Sequence, residues 1–192
     1  LAFSCKKQEE DVQVNITIEN SPNKTAVNRN YTIEKTRFYL SNFQLIDGNG
    51  NAVNVKDLIL VKSGNQNSFT FNLPSGTFSS FRYSFVLDAA TNNSNPSNFD
   101  DAHPLSTKQD MFWGMLKYRF IVTEGLLDSS TTKDKSPIVP YSMHLGSDTL
   151  YRVITQNIAG NKIKRGSVIT IRVNMNNLFV LDQDNFNITN FS

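Results

Sequence analysis

The stretch that decides the fold is YTIEKTRFYLSNFQLIDGNG, residues Tyr31–Gly50. Its apolar residues alternate with polar ones, and this two-residue period is typical of a β-strand with one buried face. Phe38 and Leu40 lie on even positions, whereas Phe43 and Leu45 lie on odd positions. That change of phase predicts a bulge near Ser41–Asn42. The final DGNG is a strong turn signal of the kind that joins two strands of a hairpin.

The same period recurs on both sides of this stretch. It predicts further strands at Val12–Ile18, Val53–Val61, Ser68–Leu73, Phe81–Leu87, Met111–Thr123, Pro137–Leu145, Leu150–Ile158 and Val168–Met175, with one edge strand in the tail Leu178–Phe191. A long segment rich in Asn, Asp, Ser and Pro, Asp88–Asp110, interrupts them, and loops of this length are often functional. About nine or ten short strands predict an all-β fold, a single antiparallel β-sandwich with one long loop.

The composition fits one domain that folds without disulfides. The chain has 192 residues, and its fourteen Phe and six Tyr supply bulk for a core. The net charge is only +2 and the two signs are interspersed, so we expect no nucleic-acid partner. The sequence lacks a Gly-rich phosphate loop, Cys-x-x-Cys, His-Glu-x-x-His and Gly-x-Ser-x-Gly, and we do not expect an enzyme.

The single cysteine, Cys5, lies in an informative context. It follows Leu1–Ser4, and this arrangement resembles the end of a bacterial lipoprotein signal peptide. The resemblance implies that residues 1–11 hold a signal-peptide remnant, a lipidated Cys5 and a tether, and that residues 12–192 form the domain. The charged stretch Lys6–Asp11 is similar to signals that send Bacteroidetes lipoproteins to the cell surface. A merely free or buried cysteine is the alternative.

Soft and redox-active side chains are concentrated between His103 and Gly146. This region holds both histidines, the only tryptophan and three of the four methionines. Imidazole and thioether groups are ligands that suit copper, and an indole beside a metal can be oxidised. The alternative is that these aromatic and methionine side chains fill an ordinary core.

The alternation predicts which of these side chains lie outside the core. In the strand Met111–Thr123, the even positions form a core face, and the odd positions carry Met111, Trp113, Met115, Lys117 and Arg119. Long basic side chains are costly to bury, so the odd face is expected to point outward. A bulge at Gly114 would reverse part of this assignment.

The next strand, Pro137–Leu145, places Met143 on its core face and His144 on the opposite face. The two strands are expected to pair as a hairpin, which brings His144 to the outer face beside Trp113. His103 would approach from the long loop. The candidate metal ligands are His144, His103, Met111 and Met115. Each has a structural alternative. His144 could bond to a backbone carbonyl, and His103 could lie on a turn. Met111 and Met115 could cover the indole of Trp113.

The long loop also offers oxygen ligands of the kind that bind calcium. They are Asp88, Asn92, Asn93, Asp100 and Asp101. Their spacing matches no EF-hand pattern, so turn-forming Asn and Asp residues are the alternative.

Several short motifs along the chain identify a family resemblance. They are Tyr39–Phe43, Asn92–Asn93, His103–Leu105, Met111–Trp113, Tyr118–Phe120, Glu124–Gly125 and His144–Gly146, in that order. This set resembles the family of the methanobactin-associated periplasmic copper-binding protein, MbnP, from about Val12 to Met175. Two positions depart from the methanotroph members, which tend to have His where this chain has Asn93 and a second Trp where it has Met115.

The resemblance implies a β-sandwich exported beyond the inner membrane. It implies copper binding with His144 as the best ligand candidate, and oxidation of Trp113 to kynurenine by a dihaem enzyme of the MauG and cytochrome c peroxidase type. Our leading hypothesis is therefore a copper-binding lipoprotein of the outer membrane, on the cell surface or the periplasmic face, held by lipid on Cys5. The alternative is a metal-free interaction module that serves as an accessory lipoprotein subunit of an outer-membrane complex.

Overall fold

The computed structural model describes residues 11–19, 29–158, 163–176, 181–182 and 185–186. Its strands are β1 (Val12–Glu19), β2 (Lys35–Asp47), β3 (Ala52–Lys62), β4 (Asn67–Phe71), β5 (Phe78–Phe85), β6 (Ile121–Leu127), β7 (Val139–Leu145), β8 (Arg152–Asn157), β9 (Val168–Asn174), β10 (Leu181–Asp182) and β11 (Asn185–Phe186). The lipidated Cys5 of the sequence prediction, and most of the tail strand, lie outside the described residues. No helix in the described ranges is long and apolar enough to cross a membrane.

The strands form two packed sheets, which confirms the sandwich. In the larger sheet β2 is central, and it pairs with β3, β5 and β6, while β7 and β8 extend the sheet beyond β6 and β5. The smaller sheet has the order β4-β1-β9. The two short strands β10 and β11 pair only with each other. The long loop holds one helix, α1 (Ala89–Asn92), and 3₁₀ turns at Pro96–Asn98 and Thr107–Gln109.

The bulge in β2 is confirmed and explains the change of phase. The register of β2 against β3 and β5 shifts between Ser41 and Gln44, and Asn42 adopts a positive φ of 53°. Asparagine tolerates this left-handed conformation better than most residues. The extra residue lets Phe43 return to the core side, where its ring lies 4.8 Å from that of Phe69 in the other sheet.

One pairing differs from the antiparallel prediction. β1 and β9 run parallel, in register from Gln13 with Val168 to Glu19 with Asn174. Parallel neighbours need a long connection, and here all the intervening strands supply it. The first and last long strands described, β1 and β9, therefore lie side by side in the smaller sheet.

The larger sheet is covered on both faces. Its inner face packs against the smaller sheet. Its outer face carries Tyr39, and the long loop covers this side chain. The Tyr39 hydroxyl donates to the backbone carbonyl of Pro104 (3.2 Å), and its ring lies edge-on to Tyr118, with centroids 6.2 Å apart. The loop thus builds a second apolar layer, which also contains Leu105 and Met111.

The prediction of one strand over Met111–Thr123 is wrong in its first half. The chain instead makes an isolated bridge between Phe112 and Tyr118 around a 3₁₀ turn at Gly114–Leu116. Gly114 and Lys117 both have positive φ, near 58°, which breaks the alternation. We call residues 109–119 the strap, because they lie across the outer face of the larger sheet.

Candidate metal centre

The outer-face placement of His144 and Trp113 is confirmed. His144 lies on β7, directly opposite Val122 of β6. Trp113 lies on the strap, and its ring meets the imidazole edge-on with centroids 5.6 Å apart. The Trp113 side chain is 54% exposed, whereas the His144 side chain is only 22% exposed. The imidazole therefore sits in a shallow recess beside an indole that solvent and partners can reach.

The two nitrogens of His144 have different surroundings. Nε2 lies 2.8 Å from the Ser142 hydroxyl and 3.5 Å from a carboxylate oxygen of Glu124. The other oxygen of Glu124 binds the ammonium of Lys35 at 3.0 Å. Within the described residues, Nδ1 has no hydrogen-bond partner. An imidazole with one nitrogen facing a hydroxyl and a carboxylate and the other nitrogen open is similar to the usual arrangement of a metal-binding histidine.

Charged groups hold the strap beside this recess. The carboxylate of Asp110 binds the guanidinium of Arg37 at 3.1 Å and that of Arg119 at 2.9 Å. Both arginine side chains are about nine-tenths buried, at 10% and 11% exposure. The Arg119 guanidinium also lies 5.8 Å from the centre of the Trp113 ring, a cation–π distance. An unbroken series of contacts therefore runs from Arg37 through the strap to His144.

Two carboxylates of this surface are easier to ionise than usual. The hydrogen bond and charge of Lys35 hold the pKa of Glu124 below its ordinary value, and His144 contributes in the same direction. At Asp110, partial burial raises the pKa, but the hydrogen bonds and charges of Arg37 and Arg119 outweigh it and the net pKa is lowered. Both groups are therefore anionic at neutral pH.

The two methionines predicted on the outer face differ in their exposure to solvent. Met115 is fully exposed at the tip of the strap turn, which agrees with the prediction. Met111 is fully buried in the apolar layer beneath the long loop, so the prediction that its side chain lies outside the core is wrong. The cause is the strap turn: alternation fails there, and the main chain of Met111 instead pairs with Arg119, whose N–H donates to the Met111 carbonyl at 2.7 Å.

His103 does not join this site. Its ring stacks on Phe99 with centroids 4.2 Å apart, and it lines a shallow depression with β3 residues such as Lys56 and Asp57. Its Nδ1 accepts the backbone N–H of Leu105 at 3.1 Å. The structure therefore supports the turn alternative, since the lone pair that a metal would need is already used.

Four of the five residues proposed for calcium, all except Asp101, use their side chains in other contacts. Asp88 caps α1 by accepting the N–H of Thr91 at 2.7 Å, and Asp100 accepts the N–H groups of Ala102 and His103. The side chain of Asn92 donates to Asp148 at 2.9 Å. These are the turn and cap contacts expected of Asp and Asn, and they give calcium no support.

Asn93, for which the sequence resemblance implied a histidine, lies beside the strap. Its side-chain oxygen accepts a hydrogen bond from the ammonium of Lys117.

In the described residues no group of three or more His, Cys, Asp or Glu side chains could hold a metal ion. Among the predicted ligands, those with an available donor are His144, through Nδ1, and Met115, through its exposed thioether. Nitrogen and soft sulfur ligands suit copper better than calcium or magnesium.

Sequence reasoning did not identify Glu124 or Asp110 as parts of this surface. Glu124 could have been found, because Glu124 and His144 are diagonal neighbours once β6 and β7 are paired as a hairpin. Asp110 could not have been found from the sequence, because its contacts with Arg37 depend on the path of the strap.

Comparison with known proteins agrees with this architecture. The MbnP family matches residues 3–192 of the sequence. Among solved structures, MbnP from Methylosinus trichosporium is similar, with a TM-score of 0.57 and 14% identity over 88% of this chain and 77% of that chain. No curated protein matches. Since the family match spans nearly the whole sequence, the chain belongs to the MbnP family.

Proposed function

We propose that this protein binds copper on the outer face of its larger sheet, with Nδ1 of His144 as one ligand and the thioether of Met115 as a second. The observation that carries the proposal is the open Nδ1 of an imidazole whose other nitrogen faces Glu124 and Ser142. Membership of the MbnP family supports copper as the metal. Bound copper would supply a redox-active ion next to Trp113.

Competition with a chromogenic copper(I) chelator tests this proposal. Wild-type protein should take copper from the chelator, and His144→Ala should weaken binding at least tenfold. His103→Ala is the matched control and should bind as the wild type does, because its Nδ1 is occupied by Leu105. Wild-type binding no tighter than that of His144→Ala would contradict the proposal.

The role we propose is copper capture or handling rather than catalysis. Ser142 and Glu124 both approach Nε2 of His144. A serine nucleophile needs a histidine that faces the hydroxyl through one nitrogen and the carboxylate through the other. Because both partners share one nitrogen here, these three residues do not make that proton relay.

Trp113 is the residue we propose for oxidation to kynurenine by a dihaem partner enzyme. Its exposed indole supports this, since a partner can approach it without unfolding the strap. Peptide mass spectrometry after co-expression with such a partner would test it. Trp113 should carry the modification, and unmodified Trp113 alone would count against it.

We further propose that lipid on Cys5 anchors the domain to the outer membrane, at the cell surface or the periplasmic face. The support is the sequence around Cys5. Metabolic labelling with a fatty acid should label the wild type but not Cys5→Ser. Equal labelling of both would contradict the anchor.

A second candidate function, a metal-free accessory subunit of an outer-membrane complex, is favoured by apolar side chains near the start of β7. Ile138 and Val139 are exposed there, and β7 is an edge strand of the larger sheet among the described strands. Exposed apolar groups on a sheet edge are typical of interaction surfaces. A stable stoichiometric partner recovered from native membranes, together with no retained copper, would favour this function.

A further inference from the structure

We infer that Glu124 is the positioning residue that fixes His144 as the tautomer with its hydrogen on Nε2, and thereby makes Nδ1 the nitrogen that binds. The identity of the ligand at Nδ1 rests on the proposed function, but the tautomer of His144 does not. A neutral imidazole carries one hydrogen, and the nitrogen without it is the one with a lone pair for a metal.

The Ser142 hydroxyl alone cannot choose between the tautomers. It lies 2.8 Å from Nε2, where it can either donate to a bare nitrogen or accept from a protonated one. Either direction gives a hydrogen bond of similar strength. The choice must therefore come from a group that can only accept or only donate.

Glu124 is such a group. One of its oxygens forms an ion pair with the ammonium of Lys35 at 3.0 Å, and an ionised carboxylate only accepts hydrogen bonds. Its other oxygen lies 3.5 Å from Nε2. A lone pair on Nε2 would face this negative oxygen, whereas an N–H group there is attracted to it. The carboxylate thus favours hydrogen on Nε2, donated to the Ser142 oxygen with Glu124 nearby.

The strands make this contact a consequence of the fold. Glu124 pairs with Ser142, and Val122 pairs with His144, so Glu124 and His144 lie diagonally on the same face. Lys35 pairs with Glu124 from β2 on the other side. Three neighbouring strands therefore place the imidazole, the carboxylate and the ammonium next to one another on the same face of the sheet.

His103 provides an internal reference in the same molecule. Its Nδ1 accepts the Leu105 N–H, so its hydrogen also lies on Nε2, but the cause is a backbone group rather than a carboxylate. A change at Glu124 should therefore alter the tautomer of His144 and leave that of His103 unchanged.

The experiment is ¹⁵N NMR of metal-free protein labelled at histidine, at a pH high enough that both imidazoles are neutral. In the wild type, His144 and His103 should both show hydrogen on Nε2. Glu124→Gln should shift His144 toward a mixture of tautomers, because a glutamine amide can donate as well as accept. Glu34→Gln, which changes an exposed carboxylate without contact to His144, should leave both histidines as in the wild type.

Two results would overturn the inference. One is a wild-type His144 with its hydrogen on Nδ1, and the other is a Glu124→Gln protein with an unchanged tautomer at His144. Copper(I) competition then adds a functional measurement: Glu124→Gln should bind about 10-fold to 100-fold more weakly, the usual effect of losing a carboxylate behind a ligating histidine. If wild-type protein binds no copper, the proposed function fails, while the metal-free spectra still decide the tautomer.

Discussion

At the scale of single residues, the two histidines show how neighbours decide chemistry. His103 gives its Nδ1 lone pair to a backbone N–H and stacks on Phe99. His144 keeps Nδ1 open, because strand pairing directs Glu124 and Ser142 to Nε2. The sequence places His103 in the long loop and His144 on a strand but leaves both as candidate ligands, and the structure shows which of them keeps Nδ1 open.

Trp113 should report copper binding directly, because it is the only tryptophan in the chain. Its ring lies 5.6 Å from that of His144, so copper(II) bound at the imidazole should quench its fluorescence. We expect strong quenching at one equivalent of copper(II) in the wild type and little in His144→Ala. Equal quenching in both proteins would mean that copper sits elsewhere.

Asp110 should stabilise the fold through the two buried guanidinium groups that it neutralises. Removing one partner of a buried ion pair costs about 3–5 kcal/mol, but the 73% exposure of Asp110 allows water to replace part of the interaction. We expect Asp110→Ala to lower the free energy of unfolding by about 1–2 kcal/mol, measured by urea denaturation.

Asp101→Ala is the control for this substitution, since Asp101 is also exposed on the long loop and its carboxylate makes no hydrogen bond or ion pair with any described residue. It should change stability little. Equal stability of the Asp110 and Asp101 variants would show that the Arg37 and Arg119 contacts contribute nothing measurable.

At the scale of elements, alternation predicted the strands well because each has one face toward a core. It failed at the strap, where positive φ at Gly114 and Lys117 turns the chain and places Met111 inside. The bulge in β2 was predictable, because the apolar residues change there from even-numbered to odd-numbered positions. The strap was predictable only in part: Gly114 indicated a possible bulge, but the positive φ of Lys117 leaves no sign in the apolar pattern.

Gly125 in β6 should be intolerant of a side chain. A Cβ at this position would lie 2.1 Å from the Thr32 carbonyl oxygen, which belongs to the segment that runs beside β6. Overpacking of this kind costs about 1–3 kcal/mol, and we expect Gly125→Ala at the upper end of that range in chemical denaturation.

Gly48 offers the matched comparison, because a Cβ there meets nothing within 4 Å. Gly48→Ala should be close to neutral. A Gly125→Ala protein as stable as Gly48→Ala would mean that the 32–34 segment is free to move away from β6.

At the scale of the whole molecule, the all-β sandwich and its family were predictable from alternation and from the order of short motifs. The parallel pairing of β1 with β9 was not, because it joins segments from opposite ends of the domain. The motif resemblance implied a histidine where this chain has Asn93, so the loss of one imidazole donor was an expectation of the sequence. The separation of His103 from His144 required the path of the long loop.

Acid should destabilise the fold through its well-bonded carboxylates. The pKa values of Asp110 and Glu124 are lowered from ordinary values of 3.8 and 4.5 by their arginine and lysine partners. At Asp88, burial raises the pKa, but hydrogen bonds from Thr91 and Asn42 outweigh this and lower it overall. A lowered pKa in the folded state means that the folded protein binds its proton less readily than the unfolded chain does.

These carboxylates contribute fully to stability at pH values above their ordinary pKa values. The contribution is lost as the pH falls through their lowered pKa values in the folded protein. We expect the melting temperature to decline below about pH 5. The decline should be shallower in Asp110→Asn, which has one such carboxylate fewer. A parallel decline in both proteins would exclude Asp110 from the effect.

The most direct test of the central claim, that His144 binds copper through Nδ1, is ¹⁵N NMR of histidine-labelled protein titrated with copper(I), a diamagnetic ion that leaves both histidines visible. The account predicts that the Nδ1 resonance of His144 moves to the position of a metal-bound nitrogen at one equivalent, while both nitrogens of His103 stay unchanged. An unshifted His144 at saturating copper(I), or a shift at His103 instead, would contradict it.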